Sequence, residues 1–419
     1  MRERGRVRLV VHDFAGHPFQ AQLSRALARR GHDVLHLSAG GLPGPKGAIE
    51  RLPDDPLSLE IEPVTISRPF PKYDLVARLR NQREYSKRLN QRILGFRPDA
   101  VLSANTPTDV QYSVLQAAHR EDIAVLHWMQ DLYGEALRTV FRRKLGVFGP
   151  ALSRPSLWVE RRICENCETV ICIAPEFENY LSRHNIRPQR CCVLENWASL
   201  EETPRLSRDN PWSRQHLPRD ASFRFIYSGT LGLKHSPDLL AALASRLSSD
   251  CRVIVVSEGW GRDYLQGDRS PVGANSIRFL DFQPHQRVPE VLAAADVLIA
   301  TIDEEASRFA VPSKVLTYLC AGRPVLLASP SDNLAAGVVR EAGAGIVVEP
   351  CDVAGFTEAA KRLYSDPELR RELGDNGRRW AERRFDISQI SSQFESVLIQ
   401  AVEMRRALPV KGVPGYSNA

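Results

Sequence analysis

Long apolar runs are missing from this 419-residue sequence. None approaches the ~18 residues that a membrane-spanning helix needs, so no transmembrane anchor is expected. Metal-ligand spacing is missing too. The eight cysteines include one Cys-x-x-Cys, Cys164 and Cys167, with no second pair and no histidine pair at zinc spacing. Packing is the expected role of those thiols, and neither a metal site nor a cofactor is expected. The basic N-terminus runs straight into an apolar strand, so no signal peptide is expected, and reduced, cytoplasmic thiols are the expectation. The loop His12–Pro18 holds one glycine, Gly16. The dinucleotide fingerprint, with its three spaced glycines, is therefore absent, and NAD binding is disfavoured. No aromatic-interleaved basic platform is present, so nucleic acid is not an expected partner.

What is present is the composition of a soluble globular enzyme, 43% hydrophobic and 25% charged. The length calls for two α/β domains of about 200 residues each. Net charge is +6 and unevenly placed: residues 1–200 carry 29 Lys/Arg against 22 Asp/Glu, and residues 201–419 carry 27 against 28. A basic first half suggests an anionic partner such as membrane lipid. Two stretches could touch an anionic membrane surface. One is the helix expected from Tyr73 to Phe96, which lies in a stretch with nine basic residues between Arg68 and Arg97. The other is Phe141–Gly149, where apolar residues flank Arg142-Arg143-Lys144. For both, a solvated face over the core is the competing reading.

Strand and helix patterns alternate along the chain. Arg8–Val11, a helix over Gln20–Arg30 and Asp33–Leu37 form a Rossmann-like opening, with ligands expected at the carboxyl end of the first strand. Residues 39–60 read as irregular. Ala100–Ser103, Ile123–Trp128, Thr169–Ile173 and Cys192–Leu194 read as further strands, and His127 and Asp131 fall at a strand's carboxyl end, where such sheets keep their chemistry. Asn196–Ala221 lacks periodicity and reads as an interdomain linker. The expected division is 1–200, 201–385, and a segment 386–419 that holds a helix crossing back to the first domain and a loose tail.

The second half starts with the strand Arg224–Tyr227, followed by Ser228-Gly229-Thr230-Leu231-Gly232-Leu233-Lys234-His235-Ser236-Pro237-Asp238. Ser236 suits an N-cap and Pro237 the first helical position. Two glycines and Lys234 before a helix N-terminus make a phosphate cradle, though not with P-loop spacing. Asp296–Ala328 repeats the pattern as strand, loop, helix and strand. Ser313 is placed to cap its helix, Lys314 to sit at the N-terminus, and Gly322 to stop it. A cation at a helix N-terminus opposes the dipole unless both hold an anion. Lys234 and Lys314 on neighbouring crossovers therefore suggest a bound diphosphate.

As a set, these pieces resemble a known family: His17, Leu23, Leu27 and Gly31-His32-Asp33-Val34 in the opening, Tyr227 to Lys234, Glu258-Gly259, Phe279 to Pro284, Ala294 to Val297, Pro312-Ser313-Lys314, and Ala321 to Val325. The chain resembles the GT-B glycosyltransferases of family 4, and within them the bacterial WbuB-like group. The resemblance implies two Rossmann-like domains facing across a cleft, with a nucleotide-diphosphate sugar on the second domain and the acceptor on the first. It implies transfer that retains anomeric configuration without a metal. Gly16, Gly229, Lys234, Ser313 and Lys314 would meet the diphosphate; Glu258, Phe282, Gln283 and Thr317 would meet the nucleoside, with the 282–284 loop using backbone groups. Asp131 or His127 would position the acceptor hydroxyl. The chain departs from the family at three places: the paired glutamates fall near Phe309 and Thr317, and the phosphate-loop arginine is Thr230.

The reading is a cytoplasmic enzyme, peripheral on the inner membrane face, that moves a sugar onto a lipid-linked saccharide in surface polysaccharide (O-antigen or exopolysaccharide) assembly. Competing readings are a nucleotide-sugar epimerase of the same architecture and a non-catalytic nucleotide-binding relative.

Overall fold

The protein is described by a computed structural model over residues 5–41, 47, 49–68, 75–146, 149–217, 223–232, 235–248, 250–267, 277–305 and 313–407. Lys234, Phe309, Pro312 and the tail after Ala407 lie outside these residues. The chain divides into two compact units. Of the described residues, one holds those up to Glu195, apart from Gly47, together with Ile387–Ala407, and the other holds Gly47 and those within Asn196–Asp386.

The first unit runs β1 (Arg8–Asp13), α1 (Pro18–Arg29), β2 (Asp33–Ala39), β3 (Leu59–Val64), α2 (Leu75–Phe96), β4 (Ala100–Ala104), α3 (Thr108–Arg120), β5 (Ala124–Met129), α4 (Tyr133–Leu145), α5 (Gly149–Asn166), β6 (Thr169–Cys172), α6 (Pro175–Arg183) and β7 (Cys191–Val193). Its strands lie in the order β3-β2-β1-β4-β5-β6-β7, all parallel, with Val10 beside both Leu35 and Val101. Covered on both faces, β1, β4 and β5 are nearly continuous apolar runs, as buried parallel strands must be. β3 is a strand that the sequence pattern did not announce, and it overlaps the irregular stretch 39–60 only at Leu59 and Glu60. Its Leu-Glu-Ile-Glu-Pro-Val is half exposed, and Pro63 is tolerated because the strand is at an edge. In the apolar-basic segment 141–149, the described residues are the end of α4, Gly146 with φ of 58°, and the first residue of α5.

The second unit runs α7 (Pro211–His216), β8 (Phe223–Ser228), α8 (Pro237–Arg246), β9 (Cys251–Val256), α9 (Trp260–Gln266), β10 (Ile277–Leu280), a 3-10 turn at His285–Arg287, α10 (Val288–Ala293), β11 (Val297–Thr301), α11 (Lys314–Ala321), β12 (Val325–Ala328), α12 (Leu334–Glu341), β13 (Gly345–Val348), α13 (Val353–Ser365) and α14 (Pro367–Arg384). The strand order is β10-β9-β8-β11-β12-β13. The expected linker contains α7 and packs on this unit. Asn210 and Ser213 form a reciprocal capping box, Trp212 is fully buried, and its indole donates to the Gln283 side-chain oxygen at 2.7 Å. One aromatic anchor therefore holds a stretch without apolar periodicity.

The last helix, α15 (Ile387–Ala407), docks on the first unit. The Phe394 ring lies 4.7 Å from that of Trp128, Glu395 pairs with His32 at 2.8 Å and with Arg30, and Arg405 donates to the His119 carbonyl at 2.7 Å.

The first sheet buries histidines inside its strands. On β1, His12 Nδ1 meets Ser103 Oγ at 3.0 Å and Nε2 meets the Tyr85 hydroxyl at 3.0 Å. His36 on β2 meets Ser24 Oγ at 2.9 Å. Burial pushes these two imidazoles down to about 3 and about 4, and burial pushes His127 down to about 4. All three are neutral in the fold at pH 6, whereas unfolded histidine starts to bind protons below about 6.5. The unfolded chain binds more protons in the window from about 6.5 down to about 4, so stability falls with pH there. His12 and His36 should each remove about 1.4 kcal/mol per pH unit in that window. We expect urea midpoints to drop steeply between pH 6.5 and 4.5, and His12→Gln to flatten the drop.

Candidate functional site

In a doubly wound sheet, ligands bind outside the carboxyl ends of the strands, where neighbouring crossovers leave in opposite directions. The strand orders place that switch between β1 and β4 in the first unit and between β8 and β11 in the second. Each switch carries a cluster of functional side chains.

At the first switch, the β1–α1 loop turns around a buried carboxylate. Asp13 accepts from the backbone N–H groups of Ala15 and His17 and from Asn105 Nδ2, the latter at 3.1 Å. His17 Nδ1 lies 3.2 Å from the same carboxylate. Asp13 is fully buried, while the His17 side chain is 40% exposed, which leaves Nε2 as the ring nitrogen open to a ligand. Asn105, just past β4, has φ of 52°, a left-handed conformation that asparagine adopts more readily than most residues. Gly16, with φ of 75°, closes the turn by donating its N–H to the Asp13 carbonyl at 3.2 Å. Burial works against a charged His17, yet the charge and hydrogen bond of Asp13, with help from Asp131, raise its pKa. Burial also works against a charged Asp13, but His17 lowers its pKa overall. The pair is a histidine held on a buried carboxylate at the mouth of α1, each partner favouring the charged form of the other.

Asp131 lies two residues beyond β5 and acts electrostatically on both His17 and Tyr133. The Tyr133 hydroxyl is 3.4 Å from the Asn105 carbonyl. Asp131 therefore joins the cluster. His127 is set apart from it by its position inside β5, in register with Ser103 and Val170. Sequence reasoning passed over Asp13, His17 and Asn105 as catalytic candidates. The available signal was an Asp and a His four residues apart in a strand-end loop.

At the second switch, Lys314 is the first residue of α11, and its ammonium turns back over β8. Nζ lies 3.7 Å from the centroid of the Tyr227 ring. A Cβ on Gly229 would stand 3.3 Å from the same nitrogen. Gly229 has φ of 122°, so a side chain there would be strained as well as crowded. Tyr318, one turn along α11, ties helix to strand: its hydroxyl accepts from Ser228 N–H at 3.1 Å and donates to Ser228 C=O at 2.9 Å. Tyr318→Phe strands both backbone groups, and urea unfolding should show a loss of about 1–3 kcal/mol.

Neighbouring loops close around this point. Leu231 N–H donates to the Glu258 carbonyl at 3.2 Å, and Gly261 N–H donates to the Leu231 carbonyl at 2.8 Å. The Glu258 side chain is exposed, and exposed Trp260 stacks on Tyr264 at 5.3 Å. Gln283 is committed elsewhere, with its oxygen on Trp212 and its amide donating to the Asp281 carbonyl at 2.9 Å. Only backbone groups of the 282–283 loop remain for a base. Phe282 and Thr317 are half-buried and Ser313 is exposed. Neither Ser313 nor Ser236 makes a side-chain cap bond, which corrects the expected caps: Ser313 already has helical φ and ψ of −55° and −22°. Among the described residues, no three His, Cys, Asp or Glu side chains group as a metal site.

Comparison with known proteins defines the class. Residues 16–197 match the glycosyl transferase 4-like domain and residues 209–380 match glycosyl transferases group 1. The chain belongs to the glycosyltransferases built from these two domains. It is 28% identical over 233 residues to the D-inositol 3-phosphate glycosyltransferase of Corynebacterium diphtheriae, covering 51% of this chain and 53% of that protein. It is 21% identical over 240 residues to the colanic acid biosynthesis glycosyl transferase WcaI of Escherichia coli, covering 56% and 58%. The match thus spans little more than half the length of these relatives. The fold is that of sucrose-phosphate synthase from Thermosynechococcus elongatus, with TM-score 0.71 and 18% identity over 95% of this chain and 99% of that one. It is also that of Anabaena HepE, solved in complex with UDP-glucose, with TM-score 0.68 and 16% identity over 94% and 100%.

Proposed function

We propose that this protein moves a sugar from a nucleotide-diphosphate donor to a lipid-linked saccharide, in the synthesis of a surface polysaccharide such as O-antigen or exopolysaccharide. The carrying observation is Lys314, at the N-terminus of α11 and against Gly229 at the β8–β11 switch. There an ammonium and free helix N–H groups can neutralise a departing diphosphate without a metal. Gly229, Ser313 and Lys234 complete that cradle, while Glu258, Thr317 and the backbone at Phe282 and Gln283 take the nucleoside. HepE, whose complex holds UDP-glucose, supports the donor class, and WcaI, described for colanic acid, supports the polysaccharide context.

In the first unit, Gly16 lets the β1 loop approach the sugar phosphate, and His17, whose protonated form Asp13 favours, stands beside it. Asp131 positions the acceptor hydroxyl. His127, neutral and inside its strand, shapes the floor. The reaction retains the donor's anomeric configuration, and the enzyme works at the cytoplasmic face of the membrane. The test is a panel of nucleoside diphosphates in thermal melts. A ligand at ~100 times its Kd stabilises by about 2.7 kcal/mol, a shift of several degrees. The responding nucleotide is then supplied as its sugar conjugate with lipid-linked saccharide. No shift with any nucleotide sinks the donor assignment, and sugar turnover without acceptor favours an epimerase.

A further inference from the structure

We propose that the α4–α5 hairpin, with the pocket between α3 and α5, is the surface by which the first unit docks on an anionic phospholipid bilayer. This rests on the membrane-facing part of the proposed function and names the surface. α2 packs on α3, α3 on α5, and α5 on α4, so these helices form one continuous layer over the sheet. α4 leaves the sheet four residues after β5. A Cβ on its Gly134 would touch Leu157 and Glu160 of α5, so the first half of α5 runs antiparallel beside the later turns of α4.

That hairpin exposes apolar side chains that a solvated helix pair would not need. Leu137 is 36% exposed, Val140 43%, Leu152 57% and Trp158 53%. Residues 133–166 carry seven Lys/Arg against three Asp/Glu, and the three acids are all engaged. Glu135 pairs with Arg138 and Glu165 with Arg161, and buried Glu160 accepts from Gly134 N–H and the Tyr180 hydroxyl. Apolar side chains within a net positive field suit a surface that inserts shallowly among anionic headgroups. A tryptophan, apolar in body and polar at one edge, is suited to that interface.

Beside Trp158 opens a pocket of about 340 Å³ lined by Tyr112, Arg120, Trp158 and Arg162 among others, with no carboxylate in its lining. Arg162 lies 5.4 Å from the Trp158 ring, and Tyr112 packs edge-on to it at 6.4 Å. Two guanidinium groups at an aromatic wall can hold one phosphate while the ring meets the glycerol above it. The occupant is the headgroup phosphate of an anionic phospholipid.

The experiment is flotation of the full chain with phosphatidylcholine vesicles with and without phosphatidylglycerol, using wild type, L152S/W158S and R120E/R162E. Wild type should float with phosphatidylglycerol vesicles only and be released by salt. Each double variant should lose about tenfold in partitioning while keeping its melting temperature and its nucleotide-induced shift. Brominated lipid should quench fluorescence in wild type and much less in W158F. Flotation of the variants equal to wild type overturns the hairpin assignment and leaves the enzymatic reading standing. No flotation of wild type overturns the membrane docking itself. A dimer in sedimentation that dissociates in L152S/W158S, without flotation of wild type, overturns it in favour of a second copy of the chain.

Discussion

Replacing Lys314 with methionine is expected to lower kcat/KM for sugar transfer by about 100- to 1,000-fold, the range seen when one preorganised charge-stabilising donor is lost. Methionine keeps the unbranched stem against Tyr227 and Gly229 but removes the ammonium. The fold should survive, since the cation–π contact over Tyr227 accounts for only about 1–2 kcal/mol. The nucleotide-induced rise in melting temperature should shrink with it, because the same charge holds the diphosphate in the ground state. If kcat falls while the nucleotide shift stays intact, Lys314 acts only as charge develops on the leaving group. A loss below about tenfold in kcat/KM would remove Lys314 from the diphosphate site. Gly229→Ala should resemble it kinetically, since its Cβ would crowd the same ammonium.

The second large effect is expected at Asp13. Asp13→Asn replaces a buried acceptor, ringed by donors from Ala15, His17 and Asn105, with a group that brings two donors of its own. Breaking a buried charged pair by changing one partner typically costs about 3–5 kcal/mol, and urea unfolding should show a loss of that order. The His17 pKa, raised in the wild type by the carboxylate against the pull of burial, should fall in the variant. In the wild type that raised pKa stabilises the fold below ~6.5, and the contribution is lost as pH rises through the folded-state pKa. In Asp13→Asn this dependence should vanish, and the alkaline limb of the activity profile should move to lower pH. An NMR titration of His17 reads the shift directly; an unchanged midpoint would separate His17 from Asp13 electrostatically.

The two sites were unequally legible beforehand. Gly229 and Lys314 stand in local patterns, an apolar strand followed by glycines and Lys234 for the first and Pro-Ser-Lys at a helix start for the second, and such patterns mark anion sites because helix N-termini carry unsatisfied N–H groups. Asp13, His17 and Asn105 stand in no such pattern. Asn105 is remote from Asp13 in sequence, and only the β1–β4 pairing brings it to the carboxylate. The side-chain bond between Gln283 and Trp212 was equally illegible, because Trp212 sits in a stretch that looked like linker.

By itself, the sequence determined the parallel α/β character of both halves, most element boundaries and the place of Lys314 at a helix start, because apolar periodicity and helix punctuation are local properties of the chain. Tertiary structure decided which crossovers diverge at a switch point, that β3 is an edge strand, that residues 196–221 belong to the second unit, and which side chains hold α15 on the first. Those outcomes depend on contacts between residues far apart in the chain, such as Trp128 with Phe394 and Glu290 with Trp212. Their energy comes from burial against a partner surface, and no local pattern names the partner.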